Sequence, residues 1–237
     1  MFREFLIDAA QKFGVTFDER QLNQFEIFYK AVVEYNEKIN LTAIVEEKDF
    51  AVKHIIDSLT VWDEKFSAAK NLCDVGTGAG FPAIPLKIFQ PQLEITLIDS
   101  LAKRVDFLKK ITAELELGGV TCLHGRAEDF ARDKNLRGKF DIVTARAVAR
   151  LNVLAEYCLP FVKIGGTFTA LKGKIFREEI VEAENAIKIL GGGNIIVAEK
   201  TLPDLPDIRA VIYIDKKIAT PKTFPRRAGI PSKNPLI

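Results

Sequence analysis

The chain is poor in the residues from which metal centres and disulfide scaffolds are built. Its 237 residues include two histidines and three cysteines. His54 and His124 stand far apart and neither belongs to a cluster of carboxylates and histidines, so metal-assisted chemistry has no donor set. Cys73, Cys122 and Cys158 lie in separate apolar segments without zinc-type spacing and read as reduced core thiols of a cytoplasmic protein. Long apolar runs are missing too, and nothing approaches the ~18 residues of a membrane span. Glu4 and Asp8 fall where an export signal needs an apolar stretch. Asn40-Leu41-Thr42 has the form of a glycosylation acceptor, but a chain that is not exported meets no such modification.

Acidic charge is missing from one place. Residues 1–70 carry 9 basic and 13 acidic side chains, and residues 71–215 carry 19 of each. Residues 216–237 hold Lys216, Lys217, Lys222, Arg226, Arg227 and Lys233 with no acid, a net +6 against +2 for the whole chain. A polyanion would be drawn to this tail first. Such a tail also serves solubility, and charge alone leaves both readings open.

Against these absences stands a glycine turn. Residues 71–80 read Asn-Leu-Cys-Asp-Val-Gly-Thr-Gly-Ala-Gly, a short buried strand running into three glycines. The next apolar run ends in Asp99, 23 residues after Gly76. Glycines let backbone approach a ligand closely, and a carboxylate ending the second strand can accept from both ribose hydroxyls of a nucleoside. The spacing Gly76-x-Gly78-x-Gly80 departs from the dinucleotide pattern, and Asp74 ahead of it would repel a pyrophosphate. An acid there suits an ammonium. S-Adenosylmethionine has an ammonium, a ribose diol and no phosphate. The segment resembles the first motif of the class I S-adenosylmethionine-dependent methyltransferases.

The length holds one good-sized domain with a small appendage, and 48% hydrophobic residues suffice for its core. Helical spacing of apolar residues predicts a helix from Phe2 to Phe13, a second from the capping box Asp18–Gln21 to about Asn40, and a third over 46–64. Strand runs follow at 71–75, 93–99, 120–124, 139–145, 166–171, 194–199 and 209–215. Helical patterns fall between them near 82–90, 103–117, 148–163 and 176–190. This alternation predicts an α/β fold, a mostly parallel, doubly wound, Rossmann-like sheet. The expected organisation is a helical cap (1–68), a cofactor-binding core (69–215) and a basic, proline-rich tail (216–237). The carboxyl edge of the strands, where ligands of such sheets bind, collects Gly76–Phe81, Asp99–Leu101, Arg126–Glu128 and Arg146.

The residues also narrow the methyl acceptor. Methylation of an exocyclic base amine uses an Asn/Asp-Pro-Pro-aromatic tetrapeptide after the fourth strand, where this chain has Thr144-Ala145-Arg146-Ala147. Attack on a pyrimidine carbon needs a cysteine nucleophile, and Cys158 lies on the apolar face of a helix. An acceptor that needs no base remains. Guanine N7 has an in-plane lone pair and no proton, so proximity and alignment suffice. A methyltransferase for a small molecule or protein, or a non-catalytic ribosome-binding protein, stays open on the residues alone.

Several further motifs stand in order. They are Asn40-Leu41-Thr42-Ala43-Ile44, His54-x-x-Asp57-Ser58-Leu59, Asp99-Ser100-x-x-Lys103-Arg104, Ala145-Arg146-Ala147, Ala170-Leu171-Lys172-Gly173 and Pro221-x-x-Phe224-Pro225-Arg226-Arg227-x-Gly229-x-Pro231. With the glycine turn they make the chain resemble the bacterial glucose-inhibited division protein B family, the small-subunit rRNA guanine-N7 methyltransferases, over nearly its whole length. The resemblance implies transfer from S-adenosylmethionine to one guanine in the decoding-region loop of 16S rRNA; nothing in the residues points beyond a monomer. It implies cofactor contacts at Gly76, Gly78, Phe81, Asp99, Ser100, Leu101, Ala127, Glu128 and Arg146, and no metal. Arg146 and Lys172 are expected to position the base or hold phosphate, with Lys222, Arg226, Arg227 and Lys233 extending the RNA contact. Phe224 stands where the resemblance leads one to expect a tyrosine, which removes a phenolic hydroxyl but keeps stacking.

Overall fold

The computed structural model describes residues 1–206 and 208–237. Apolar residues at helical spacing wind the N-terminal segment into α1 (Phe2–Phe13) and α2 (Glu19–Asn36), burying Phe2 and Leu6 of the first and Phe25, Phe28 and Val32 of the second. The capping box is present: Asp18 Oδ1 accepts from the Gln21 N–H and Gln21 Oε1 from the Asp18 N–H. The second helix stops at Asn36, short of Asn40. Asn36 Oδ1 accepts from the Leu41 and Thr42 N–H groups and closes the chain into a loop instead.

The single helix expected over 46–64 is broken. A short α3 (Glu47–Phe50) passes into a π-helical turn (Ala51–Ile56) and then α4 (Asp57–Leu59). Another helix, α5 (Glu64–Ala68), restarts behind its own cap, Asp63, which accepts from the Phe66 N–H. A π turn widens the helix locally and re-aims the side chains beyond it, and such turns concentrate at functional sites. This one carries His54 and delivers Asp57.

The remainder alternates strands and helices: β1 (Asn71–Val75), α6 (Ala83–Phe89), β2 (Glu94–Asp99), α7 (Ala102–Glu114), β3 (Val120–His124), α8 (Ala127–Phe130) and β4 (Phe140–Arg146). Then come α9 (Leu151–Cys158), β5 (Val162–Lys172), α10 (Phe176–Ile189), β6 (Gly192–Thr201), β7 (Ile208–Lys216) and α11 (Ile230–Lys233). The sheet has the order β3-β2-β1-β4-β5-β7-β6. The first five strands pair in parallel, and β7 runs antiparallel between β5 and β6. Every strand run read in the sequence forms a strand, with ends shifted by up to a few residues. The helix expected from 148 begins at Leu151, because residues 147–150 form a loop in which Ala147 takes φ 56°.

Alternate residues of each strand serve opposite faces. Leu72 joins an apolar cluster with Phe28, Phe50 and Phe81, so cap and sheet share one interior. Cys73 and Val75 join the other cluster, with Leu154, Cys158 and Phe168. All three cysteines are free, and burial pushes the Cys73 and Cys158 thiols well above their ordinary range, which disqualifies Cys158 as a nucleophile. Among the described residues no helix is long and apolar enough to cross a membrane.

Candidate active site

The loop after β1 turns tightly because three glycines take positive φ: Gly76 (70°), Gly78 (60°) and Gly80 (100°). Two of them also make room. A Cβ on Gly76 would stand 2.6 Å from Val148 Cγ2, and one on Gly80 2.4 Å from Ile84 Cδ1. A Cβ on Gly78 would meet nothing, so its backbone faces open space. Asp99 clamps the turn from the end of β2. Its Oδ2 accepts from the Gly78 N–H at 2.9 Å and its Oδ1 from the Leu101 N–H at 2.9 Å. A carboxylate has further lone pairs, so Asp99 keeps accepting capacity toward a ligand. A small pocket of about 80 Å³ lies beside it, lined by Gly76, Asp99, Ser100, Ala127 and Glu128 among others. Leu101 is exposed next to it. The structure therefore brings these expected residues together.

Asp74 lies under the same turn. Thr144 Oγ1 donates to its Oδ1 at 2.7 Å, but its Oδ2 has no hydrogen-bond partner although the residue is wholly buried. The neighbouring Thr77 hydroxyl also lacks a partner of hydrogen-bonding geometry. Burial pushes the Asp74 carboxyl up to about 7, against the pull of the Thr77 and Thr144 hydroxyls and the Arg146 charge. An unanswered buried acceptor is costly, and a cationic donor would satisfy it.

Arg146 ends β4 in a larger cleft of about 430 Å³. Its Nη1 donates to Asp57 Oδ2 at 2.9 Å and to the Lys53 carbonyl at 3.2 Å. Its Nη2 donates to His54 Nδ1 at 3.1 Å, and the guanidinium lies 4.9 Å over the Phe81 ring. The Phe81 ring thus serves the seam with the cap, stacked 4.2 Å from the His54 ring, and backs Arg146. Burial, helped by the Arg146 charge, lowers the His54 pKa to about 3, so the imidazole is neutral. Because Nδ1 accepts, Nε2 carries the proton and donates to Thr42 Oγ1 at 2.8 Å, which also accepts from the Ile44 N–H. The Asn40–Ile44 and His54–Leu59 motifs therefore build one device that holds Arg146.

Two expectations need correction. Lys172 was expected to meet phosphate or base. Its ammonium is instead committed to Glu179 Oε2 at 2.7 Å and the Ala149 carbonyl at 2.6 Å, with 9% of the side chain exposed. Arg226 was expected to meet RNA. It grips the buried Glu156 carboxylate through Nε and Nη2, at 3.0 and 2.6 Å. In each case a distant carboxylate in the fold supplies the anion. The tail lies on the core as a strap. Arg137 donates to the Thr220, Pro221 and Phe224 carbonyls, Phe224 packs on the second apolar cluster, and the Gly229 N–H donates to Glu128 Oε1 at 2.9 Å. Lys222, Arg227 and Lys233 remain exposed on the strap, and no ion pair engages them among the described residues.

Sequence reasoning missed His54, Asp57 and Arg209 as site residues. The i, i+3 spacing of His54 and Asp57 on a helix was the available signal for the first two. Arg209 needed the direction of β7. Nε of Arg209 lies 3.3 Å from Asp57 Oδ1, and both line the larger cleft.

Known proteins are similar to this chain in sequence and in fold. Residues 21–204 match the GidB family model, described as rRNA small subunit methyltransferase G. A ribosomal RNA small subunit methyltransferase G from Lactobacillus johnsonii is 49% identical over 98% of this chain and 99% of its own length. One from Leuconostoc mesenteroides is 48% identical over the whole of both. In fold the chain is similar to an O-methyltransferase from Bacillus cereus solved in complex with SAH, at TM-score 0.59 and 15% identity, covering 91% of this chain and 100% of that one. An O-methyltransferase family protein from Burkholderia thailandensis gives TM-score 0.52 at 16% identity, covering 81% of this chain and 59% of that one.

The strap's anchor is testable. Arg226→Ala leaves the Glu156 carboxylate buried and unpaired, and should lower stability by about 3–5 kcal/mol in urea denaturation. Arg227→Ala, one residue on and exposed, should stay within about 0.5 kcal/mol of the parent. Equal effects would contradict this division of roles.

Proposed function

We propose that this chain, which belongs to the rRNA small subunit methyltransferase G family, methylates N7 of one guanine in the decoding-region loop of 16S rRNA, acting in the cytoplasm as a monomer on the small ribosomal subunit or its RNA. S-Adenosylmethionine is its methyl donor. The observation that carries the reading is a juxtaposition. A small pocket beside Asp99 and Glu128, at the β1–β2–β3 edge, is separated only by the 146–148 loop from a cationic cleft over β4, β5 and β7.

The residues present fit the cofactor. Asp74 Oδ2 is an acceptor without a donor, as an ammonium requires. Asp99 would take the ribose hydroxyls, the Ala127 backbone and Glu128 the adenine edge, and Arg146, held by the cap, would stand beside the methionine portion. The Gly76 and Gly78 backbone would lie beneath the methionine portion, with Ser100 and Leu101 at the mouth. When bound, the cofactor supplies an electrophilic sulfonium methyl. The chain's own task is alignment: Arg146 is immobilised on four sides, and the cation held next to Asp57 favours an electron-rich, anionic strand. Neither His54, neutral and accepting from Arg146, nor Asp57, committed to two guanidiniums, is free to act as a base. An N7 lone pair needs none. Lys222, Arg227 and Lys233 on the strap extend the RNA contact.

The experiment supplies labelled S-adenosylmethionine with unmodified 16S rRNA or small subunits and maps the product by mass spectrometry. The reading requires label at N7 of a single guanine, and label on another base atom, on protein or nowhere would overturn it. Cofactor affinity should also depend on pH. Asp74 in the free protein binds its proton up to about pH 7, and an adjacent ammonium displaces it. Affinity should therefore rise from about pH 6 to about pH 7.5 with proton release in calorimetry, and Asp74→Asn should flatten the profile. Affinity that falls with pH, or an unchanged profile in the variant, would contradict this role.

A further inference from the structure

We infer that Arg209, at the head of β7, grips a backbone phosphate of the acceptor RNA strand at the mouth of the larger cleft. The inference rests on the rRNA reading above.

Topology puts the residue there. Ligands of parallel sheets meet the carboxyl ends of strands. Because β7 runs antiparallel, its first residues reach that edge: Ala210 is paired with Lys172, the last residue of β5. Arg209 therefore lines the same cleft as Arg146.

Charge balance then singles it out. The cations lining the cleft are Lys53, Arg146, Lys172 and Arg209, and its carboxylates are Asp57 and Glu179. Lys53 is answered by Asp49 at 2.7 Å and Lys172 by Glu179 at 2.7 Å. The single carboxylate of Asp57 is left between two guanidiniums, Arg146 at 2.9 Å and Arg209 at 3.3 Å. One positive charge is therefore uncancelled beside a carboxylate with 9% of its side chain exposed. It does not reside on Arg146, whose donors go to Asp57, Lys53 and His54, whose face lies on Phe81, and whose side chain is 15% exposed. Arg209 is 28% exposed and has its Nε 3.3 Å from Asp57 Oδ1, and its side chain makes no hydrogen bond among the described residues. The surplus charge therefore rests on Arg209, which lines the cleft and whose guanidinium is in no hydrogen bond among the described residues. A phosphodiester carries one negative charge and two unesterified oxygens, which match one surplus charge and the paired N–H groups of a guanidinium edge.

The test uses the full chain with Arg209→Ala and Arg209→Lys, assayed on unmodified small subunits over a series of salt concentrations. Arg209→Ala should raise KM for subunits about tenfold while kcat and KM for S-adenosylmethionine stay within about twofold. Its dependence of log affinity on log salt should be shallower by about 0.7. Arg209→Lys should restore the salt dependence but only part of the affinity, because it returns the charge without the fork. A merely structural Arg209 would not give that split. A wild-type subunit KM and salt slope in Arg209→Ala, or an equal rise in KM for the cofactor, would overturn the inference. Should Arg209→Ala not fold by circular dichroism, Arg209→Gln takes its place under the same criteria. Filter binding of 16S rRNA reads the salt slope without turnover. The Arg209 contact is thus judged even if the parent methylates nothing, an outcome that defeats the rRNA reading itself.

Discussion

The positive charge of Arg146 is largely withdrawn from water, and a charge in that position has to be answered by the protein on every side. Its answers come from the cap: the Asp57 carboxylate, the Lys53 carbonyl and the neutral ring of His54, with Phe81 of the core as the floor. Each answer has its own support. Thr42 fixes the His54 tautomer, Phe50 packs against the His54 and Phe81 rings, and the π turn sets the spacing at which Lys53, His54 and Asp57 converge. The cap is therefore joined to the sheet by chemistry at the site as well as by apolar packing.

The same logic of unequal satisfaction separates structural charges from those left for ligands. Lys172 with Glu179 and Arg226 with Glu156 are closed pairs in poorly exposed surroundings, and their work is to hold β5 to α10 and the strap to α9. Asp74 with one orphaned oxygen and Arg209 with a free edge are open. One is an anion beneath the glycine turn, and the other a cation at the mouth of the cleft. A sulfonium nucleoside with an ammonium and a phosphodiester strand are the two complements. The strap adds a link between them, since Gly229 rests on Glu128 of the nucleoside pocket while Arg227 and Lys233 on either side face solvent.

Local patterns were legible in the chain, and distant pairings were not. Period-two strands, capping residues and the glycine turn are properties of neighbouring residues, so the order of elements and the placing of Asp99 at the end of β2 beside the glycine turn could be read from the chain, whereas its hold on the Gly78 N–H could not. The π turn is set by what His54 and Asp57 touch in space, and helical periodicity alone extended straight through it. Lys172 and Arg226 looked free because their carboxylates lie on other elements, 7 and 70 residues away in sequence. Arg209 was invisible for a different reason. A strand run carries no mark of its direction, and only the antiparallel pairing of β7 brings its second residue to the site.

A double-mutant cycle between the cap and the sheet probes the central constraint most directly. Asp57→Asn, Arg146→Lys and the double variant would be compared by kcat/KM for methylation of unmodified small subunits. If Asp57 acts by holding Arg146, the two losses overlap, with a coupling well above ~0.5 kcal/mol. Losses that add to within ~0.5 kcal/mol would show the two residues acting independently, and the account of the cap as the holder of Arg146 would fail.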